Sequence, residues 1–548
     1  MENDKPWAGL RPSADLARTY REAGLWRDAT PAADLGRWAR ETPDAVAVTA
    51  HTAGSGIRRL TYREYADQVD RAAMVLAGLG VGPGQVVAVQ LPNWWQLNAV
   101  VLACARLGAT IAPVMTTVRA RELERILSRL EPVAYVTTET WNGYEHAAAL
   151  AAIADRLPAV KHRIIVGGQA APGEIDLARR MEQADPRAAR TSDAAGDPDR
   201  VSMILFTSGT TGSPKAAMHS FNTFYAGYRP SAARRGLTSA DVMYIPHALA
   251  HVAGQIEGNM FPLYLGAEAL LIDTWDPDNV VGLLAAYGAT TVVGAPFFLD
   301  GITEAVARRD QKLPSLRQVI TGATVVPASL PGIVSGTLGV TLQGTWGMTE
   351  VGLPTLTSAD QDPPDWAARS IGTPNRALEI ELRSDGEISP ESPARMLVRG
   401  ACACLATMGR DDGEIDVLAE RDEGWYDTGD LAVPDGRGGT RVVGRAADRI
   451  GGLYMIPAAD VEDALRGHPD ITDAALVGYG PGNQLACAVV VSSKPLTLDE
   501  VRAYLDGIAM TETYQPARVE LVERLPRNSM GKVDKNHLRT WLGTDPVP

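Results

Sequence analysis

The 548-residue sequence predicts an α/β protein with a large N-terminal domain and a small α/β domain at its C-terminal end. Three observations support this prediction. The length exceeds what one hydrophobic core organises, so two or more domains are expected. Short apolar runs alternate with amphipathic segments over 60–114 and again over 241–298, which indicates parallel sheets with right-handed crossovers. After 444 a second, compact α/β pattern begins.

Helices and strands follow one another in the order that this fold class requires. The segment 167–200 is rich in Ala, Gly, Pro, Asp and Arg, and we interpret most of it as a surface excursion. Between 386 and 441, short strands alternate with turns. The predicted helices cover 60–79, 95–107, 459–466 and 498–509, and the predicted strands cover 86–91, 110–114, 201–205, 339–342, 474–477 and 485–491.

The composition argues against several classes of function. The formal net charge of -14 disfavours nonspecific nucleic-acid binding, which needs Lys and Arg to neutralise phosphates. No apolar stretch is long enough to span a bilayer, and the N-terminus lacks the apolar core of a signal peptide. The presence of only four cysteines in so long a chain indicates a reducing compartment and no structural metal. We therefore expect a soluble cytoplasmic protein, whose oligomeric state the sequence does not indicate.

The segment 206–215 has the composition of a polyphosphate-binding loop. It follows the predicted strand 201–205, so it lies at the carboxyl end of a strand. Its hydroxyl and backbone N–H groups can donate to anionic oxygens, its glycines let the main chain approach them, and its lysine adds a cation. A flexible linker of this composition is the alternative. The candidate phosphate ligands are Thr207, Ser208, Gly209, Thr210, Thr211, Gly212 and Lys215.

Four further motifs follow this loop along the chain. They are TWGMTE at 345–350, GWYDTGD at 424–430, GRAAD at 444–448 and PRNSMGK at 526–532. With the loop, and in this order, they resemble the superfamily of acyl-CoA synthetases, peptide-synthetase adenylation domains and beetle luciferases. The resemblance covers nearly the whole chain, and five motifs in the family's order are hard to attribute to coincidence.

This resemblance implies an architecture and a reaction. Residues 1–443 would form an N-terminal adenylation domain of two βαβ-type subdomains plus a distorted β-barrel. Residues 444–449 would form a hinge, and 450–548 a small, mobile α/β domain that carries the catalytic lysine. The family joins a carboxylic acid to the α-phosphate of ATP, releases pyrophosphate and passes the acyl group to CoA or a carrier protein. ATP, Mg²⁺ and CoA are thus expected, together with a small-molecule carboxylic acid.

Single residues take roles from the motifs that they match. Lys532 is similar to the lysine that bridges the carboxylate and the α-phosphate, Thr349 to a ligand of that phosphate, and Glu350 to the acid that holds Mg²⁺. Asp430 resembles the residue that binds the ribose hydroxyls, and Arg445 would contact the nucleotide from the hinge side. In isolation, Lys532 and Asp430 would be ordinary turn residues and Glu350 a helix-start carboxylate. The remaining implied nucleotide-binding residues are Gly322, Ala323, Thr324, Gly344, Thr345, Trp346, Gly347 and Met348.

The acid pocket is expected between these motifs. The segment 246–254 resembles a family motif lengthened by two residues, in which His251 matches a residue that packs near the carboxylate and swings between steps. His247 has no counterpart in that motif, and a lone histidine is more often a core residue. No anchor for an α-ammonium group is evident, which disfavours amino acids. The segments 275–277 and 295–299 resemble ligases for cyclohexanecarboxylate and related acids, which favours an aromatic, alicyclic or medium-chain acid.

Several positions depart from the family's pattern. Trp346 stands where the family has tyrosine, and would stack over the base. Ala447 replaces an Asp or Lys at the hinge, and the segment after Ile450 is one residue shorter than typical. Adenylation should be intact, while the acceptor of the acyl group could be CoA, a carrier-protein thiol or an amine. A further alternative is that the protein uses ATP to activate nitrite for diazotisation. A non-catalytic nucleotide-binding protein is the last alternative, and retention of the lysine and both acids disfavours it.

Overall fold

The structure is a mixed α/β fold with a large N-terminal part and a small C-terminal part, as the sequence predicts. It is a computed structural model, and no helix that it describes is long and apolar enough to cross a membrane. The described residues are 5–184, 196–206, 215–409, 413–445, 450, 456, 458–480, 485–508, 510, 514–528 and 531–543.

Sheet A carries several of the loops on which the site is built. Its strands stand in the spatial order Leu342–Gly344, Gln318–Thr321, Thr291–Val293, Val242–Tyr244, Glu268–Ile272, Val46–Thr52 and Gly56–Thr61. All neighbours are parallel except the last two, which are antiparallel. Parallel strands present their carboxyl ends on one edge, where open α/β sheets bind ligands. The loops that begin at 245, 294, 322 and 345 leave sheet A from this edge.

Sheet B is the second large sheet. Its strands stand in the order Ile415–Val417, Ala406–Met408, Ala216–His219, Met203–Phe206, Thr110–Pro113, Val86–Gln90, Ala134–Thr137, His162–Ile165 and Ile175–Asp176. Pairing is parallel from the fourth strand onward and antiparallel before it. The predicted phosphate loop joins the fourth strand to the third, and most of it lies outside the described residues.

Two smaller sheets complete the chain. Sheet C is antiparallel, with strands Glu379–Arg383, Ala394–Arg399, Tyr426–Pro434 and Thr440–Arg445. It occupies the region predicted as a distorted barrel, and among the described residues its strands do not close into a barrel. The C-terminal sheet has strands Ile471–Tyr479, Leu485–Ser492 and Arg518–Leu521, and it packs with its helices around apolar clusters of its own. The domain limits at 443 and 450 stay a prediction.

Helices cover both large sheets and the C-terminal sheet. The α-helices are Ala14–Glu22, Pro31–Glu41, Tyr62–Gly78, Trp95–Leu107, Ala120–Leu130, His146–Ala151, Leu177–Gln183, Phe221–Arg235, Val252–Gln255, Phe261–Leu265, Pro277–Ala286, Pro296–Arg309, Leu330–Leu338, Ala458–Arg466, Leu498–Gly507 and Lys535–Gly543. A π-helical turn, Ile256–Met260, joins two of them. The 3-10 turns are Ala154–Arg156, Trp366–Ala368, Leu418–Glu420 and Asp422–Gly424. Two further sheets have two strands each. One pairs Thr140–Trp141 with Tyr144–Glu145, and the other pairs Thr355–Leu356 with Thr373–Pro374.

The predicted elements differ from the observed ones mainly at their ends. The helix predicted over 60–79 begins at Tyr62, because Thr61 and Glu64 form a reciprocal capping box. The strand predicted over 339–342 is displaced. Gly339, with φ 72, ends a helix in the left-handed conformation, and the strand begins only at Leu342. Within the predicted excursion 167–200, the chain forms Ile175–Asp176 and the helix Leu177–Gln183.

A buried ion pair joins the helix Phe221–Arg235 to the π-helical turn. Arg235 Nη1 donates to Glu257 Oε1 at 2.7 Å and to Oε2 at 3.0 Å, and the two side chains are 4% and 5% exposed. Arg235 Nε donates to Gln318 Oε1 at 2.8 Å, which ties the pair to sheet A. Desolvation offsets much of the attraction in such a pair, whereas loss of one partner leaves an uncompensated buried charge.

We expect Arg235→Met alone to lower the free energy of unfolding by about 3 kcal/mol or more, because Glu257 would lose its counter-ion. Arg235→Met combined with Glu257→Met should recover most of that loss, because no buried charge then remains. Urea denaturation followed by tryptophan fluorescence measures both effects. A double variant as unstable as the single one would contradict this account of the pair.

Candidate active site

The carboxyl edge of sheet A brings the predicted nucleotide-binding residues 322–324 against the segment 345–350. Thr345 N–H donates to Thr321 O at 2.8 Å, and a Cβ placed on Gly322 would lie 2.4 Å from Thr345 O. Ala323 has a left-handed φ of 70° and is exposed, while Thr324 is half-buried. The close approach at Gly322 requires glycine, and it leaves a backbone surface at this edge of the sheet.

Two glycines set the shape of the segment 345–350. A Cβ on Gly344 would lie 2.9 Å from Ser370 O, and one on Gly347 would lie 2.0 Å from Gly352 O. Met348 N–H donates to Gly352 O at 3.1 Å and closes the turn. Thr349 and Glu350 therefore lie in a closed turn between Met348 and Gly352, directly after Thr345, Trp346 and Gly347.

The predicted ribose ligand Asp430 is held by two predicted nucleotide-binding residues. Trp346 Nε1–H donates to Asp430 Oδ2 at 2.8 Å, and Arg445 Nε donates to Oδ1 at 2.7 Å. Asp430 and Arg445 are register partners on neighbouring strands of sheet C. Each carboxylate oxygen has a second lone pair with which it can accept a bond from a hydroxyl. The stacking of the Trp346 indole on a base stays a prediction.

Tyr426 connects the predicted phosphate lysine to the predicted metal ligand. Lys215 Nζ donates to Tyr426 Oη at 2.8 Å, and Tyr426 Oη donates to Glu350 Oε1 at 2.8 Å. Burial, followed by the charge of Glu350, raises the pKa of Tyr426, so the phenol stays protonated. Cys404 N–H fixes the Glu350 backbone by donating to its carbonyl at 2.7 Å. The three polar side chains form one link, which we call the Lys–Tyr–Glu link.

Tyr426 has no role among the residues that the motifs single out, although the strand pattern carries a signal for one. Tyr426, Thr428 and Asp430 alternate along one strand, and alternating residues share a face of a sheet. The strand is irregular between Asp427 and Leu431, yet Tyr426 and Asp430 both contact the segment 345–350, at Glu350 and at Trp346.

The predicted phosphate ligand Thr349 is positioned by a buried histidine. The ring nitrogen Nε2 of His219 donates to Thr349 O at 2.7 Å, and the ring stacks on Phe224 with centroids 4.5 Å apart. Burial lowers the pKa of His219 to about 4, so the ring is neutral at physiological pH. His219 ends the strand Ala216–His219, which begins next to Lys215.

His251, which is predicted to pack near the substrate carboxylate, is neutral and caps a short helix. Its Nδ1 accepts from Ala253 N–H at 3.3 Å, so the proton of the neutral ring lies on Nε2. Burial lowers the pKa of His251 to about 4. His247 lies with its ring centroid 6.4 Å from that of His251, and its Nε2 accepts from Ala295 N–H at 3.1 Å. Burial and the neighbouring His251 lower the pKa of His247 to about 3.

The loop that carries Lys532 lies beside the helix Pro296–Arg309. Gly531, with a left-handed φ of 76°, packs so closely that a Cβ placed on it would lie 3.2 Å from Phe297 Cγ. Asn528 holds this turn, because its side chain accepts from Lys532 N–H at 3.0 Å. Phe297 is 44% exposed, and its ring lies 5.3 Å from that of Phe298. The structure thus brings the C-terminal loop to the start of this helix.

The described residues could hold Mg²⁺ only if nucleotide phosphates supply further ligands to the ion. Among the described residues, no group of three or more His, Cys, Asp or Glu side chains could hold a metal ion. Glu350 is buried and offers one carboxylate at the centre of the residues described above. Mg²⁺ is commonly bound by one or two carboxylates, with nucleotide phosphates and waters as its other ligands. Glu350 matches that donor set.

Part of the predicted site lies outside the described residues. In the predicted hinge region, Ala447 and the segment that follows Ile450 lie outside the described residues. The predicted phosphate ligands in this group are Thr207, Ser208, Gly209, Thr210, Thr211 and Gly212.

Comparison with known proteins identifies the family. The chain is 31% identical to a salicylyl-CoA synthase / salicylate adenylyltransferase of Streptomyces sp, over 96% of each chain. It is 29% identical to the medium-chain fatty-acid–CoA ligase of Escherichia coli, over 95% of this chain and 92% of that one. An anthranilate CoA ligase solved with anthranoyl-AMP has the same fold, with a TM-score of 0.82 at 20% identity over 94% of this chain and 97% of that one. Residues 460–532 match the C-terminal domain of AMP-binding enzymes, and because residues 35–406 match the AMP-binding enzyme family itself, the chain belongs to that family.

Proposed function

We propose that this protein uses ATP to convert a carboxylic acid into an acyl-adenylate, with release of pyrophosphate, and then transfers the acyl group to CoA. One observation carries the proposal. The segment 345–350 contacts the Lys–Tyr–Glu link at Glu350 and the Asp430–Arg445 pair at Trp346. Groups suited to phosphate, metal and ribose therefore surround one short segment, as a single nucleotide requires.

The reaction joins two anions, so the site has to offset their repulsion. In our proposal, Lys215 and Lys532 contribute positive charge to the phosphates and the attacking carboxylate, and Thr349 donates its hydroxyl to the α-phosphate. Mg²⁺ held by Glu350 would neutralise phosphate charge. Asp430 orients the ribose, which fixes the α-phosphate in line with the acid.

The acid is proposed to be aromatic, alicyclic or of medium chain length. Three aromatic side chains line up beside His247. Phe298 lies 5.1 Å from His247 and 4.7 Å from Trp275, measured between ring centroids, and Phe297 lies 6.3 Å from Trp275. The two relatives that we compared act on salicylate and on medium-chain fatty acids, as their names state, and both fit an apolar wall of this kind.

The overall reaction is tested by acid-dependent exchange of radioactive pyrophosphate into ATP. We expect exchange with benzoate or hexanoate as the acid and Mg²⁺ as the metal, and AMP release that increases at least tenfold when CoA is added. Mass spectrometry should then detect the acyl-CoA product. Acyl-AMP that accumulates equally with and without CoA would instead support another acceptor. Absence of exchange with both acids and with salicylate would contradict the proposal.

Replacing Lys532 with Ala should lower the rate of pyrophosphate exchange by about a hundredfold or more, because the carboxylate and α-phosphate would lose the charge between them. ATP binding, measured by calorimetry, should change little. Lys494→Ala is the matched control, since Lys494 is an exposed lysine of the C-terminal part that pairs with Asp470 at 3.0 Å. Equal exchange rates in the two variants would refute the role of Lys532.

Replacing Tyr426 with Phe should weaken binding of Mg²⁺–ATP by roughly three- to tenfold, because Lys215 and Glu350 would lose the hydroxyl that positions both of them. Calorimetric titration with ATP at several Mg²⁺ concentrations measures this loss. Tyr514→Phe serves as the control, because Tyr514 also donates to a glutamate, Glu391, at 2.5 Å, but away from the site. If both variants bind Mg²⁺–ATP as the unmodified protein does, the Lys–Tyr–Glu link has no part in nucleotide binding.

A further inference from the structure

The loop that carries Lys532 is closed by hydrogen bonds between its own backbone groups. Asn528 N–H donates to Lys532 O at 2.8 Å, and Gly531 N–H donates to Asn528 O at 2.9 Å. Arg527 and Val533 form an antiparallel β-bridge at the base of the loop. These contacts fix the path of the backbone on both sides of Lys532, the residue that supplies charge to the attacking carboxylate in the proposed function.

The peptide unit that joins Gly531 to Lys532 is bound at both of its polar atoms. Its N–H group, on Lys532, donates to Asn528 Oδ1 at 3.0 Å. Its carbonyl oxygen, on Gly531, accepts from Arg527 Nη1 at 2.8 Å. A peptide unit is planar, so hydrogen bonds at its two opposite edges leave it little freedom to rotate. The direction in which the Lys532 side chain leaves the backbone is therefore set by Arg527 and Asn528.

Arg527 is in turn anchored on the C-terminal sheet. Its Nη2 donates to Asp473 Oδ2, while its Nη1 binds the loop. Asp473 belongs to the strand Ile471–Tyr479, and its other oxygen accepts from Ala474 N–H at 3.0 Å, which orients the carboxylate. A planar guanidinium with several donors can bind two acceptors at once in a fixed geometry. We call Arg527 and Asp473 the Arg–Asp clamp, because together they connect a strand of the sheet to the peptide unit before Lys532.

The Arg–Asp clamp contributes little to the stability of the C-terminal part. The side chains of Arg527 and Asp473 are 35% and 26% exposed. Ion pairs that water can reach are weak, because solvent screens their attraction and ordering two side chains costs entropy. The C-terminal sheet and its helices are instead held by their own apolar clusters. Removal of the clamp should therefore leave the fold intact and change only the loop.

We propose that Arg527, held by Asp473, is a positioning residue that directs Lys532 toward the reacting carboxylate and α-phosphate. This inference rests on the proposed function, and it adds to that function two residues that act through Lys532. The same loop packs against the N-terminal part, where Gly531 meets Phe297, so the peptide unit held by the clamp lies at the contact between the two parts. A small displacement of a group that acts on the reacting atoms lowers the rate strongly.

The rate of pyrophosphate exchange in single variants tests the clamp. Arg527→Met and Asp473→Ala should each lower kcat by roughly tenfold or more and change the KM for ATP less than about twofold, because they misplace a charge that acts in the transition state. The control is Arg524→Met, which alters an exposed arginine of the same segment and should keep the full kcat. Full kcat in Arg527→Met would overturn the inference.

A charge-preserving variant separates positioning from a direct effect of the Arg527 charge. Arg527→Lys keeps the positive charge, but an ammonium group cannot reproduce the paired geometry of the guanidinium, so its kcat should lie within about threefold of that of Arg527→Met. Full kcat in Arg527→Lys would show that charge alone suffices and would overturn the inference.

A double variant shows whether Arg527 acts through Lys532. Adding Arg527→Met to Lys532→Ala should change the remaining rate of pyrophosphate exchange less than about twofold, because no amine is left to position. A further tenfold loss, by about the same factor as in the single variant, would indicate a general effect on the structure and would contradict positioning.

Hydrogen–deuterium exchange gives a readout that does not depend on activity. In Arg527→Met the backbone amide of Lys532 should exchange its hydrogen roughly fivefold faster or more, while the strand Ile471–Tyr479 keeps its protection. An unchanged rate at the Lys532 amide, or loss of protection along that strand, would overturn the inference. If the unmodified protein shows no pyrophosphate exchange, the proposed function fails, whereas the amide measurement still tests the clamp.

Discussion

The link from Lys215 through Tyr426 to Glu350 joins three parts of the chain that are distant in sequence. Lys215 precedes a strand of sheet B, Tyr426 begins a strand of sheet C, and Glu350 lies in the loop that leaves sheet A. A single neutral hydroxyl accepts from the cation and donates to the anion, each at 2.8 Å. Hydrogen bonds with charged partners are stronger than neutral ones, and here they fix two charges before a nucleotide binds. The relative placement of the three sheets therefore determines whether phosphate and metal ligands meet.

The sequence predicted the local features well and the contacts between sheets poorly. Strand and helix periods located the elements, and the motifs located Asp430 and the segment 345–350, because both kinds of signal are contained within a few consecutive residues. The partners of Tyr426 depend on how sheet C packs against sheets A and B, which no local pattern encodes. Arg235 and Glu257 are separated along the chain, and a π-helical turn sets the direction of Glu257. Such turns often mark functional sites, but their position is hard to predict from residue patterns.

Three buried histidines near these charged residues are neutral. Burial keeps His219, His247 and His251 uncharged, with the pKa of each at about 4 or lower. Protonation of any of them would place a new cation in a desolvated region, so near neutral pH the three rings add no positive charge. In the proposed function, Lys215 and Lys532 supply positive charge to the reacting groups, one from each part of the molecule.

One helix connects the proposed acid pocket to the loop that carries Lys532. Phe297, at the start of Pro296–Arg309, belongs to the aromatic wall of the proposed acid pocket and also contacts Gly531, next to Lys532. Further along the same helix, burial raises the pKa of Asp300 to about 6, while the charge of Arg527 from the C-terminal part opposes that increase. The C-terminal loop thus approaches a surface whose shape depends on Phe297. If the acid binds as proposed and shifts Phe297, the approach of Gly531 would change with it, which would couple occupancy of the pocket to the position of Lys532.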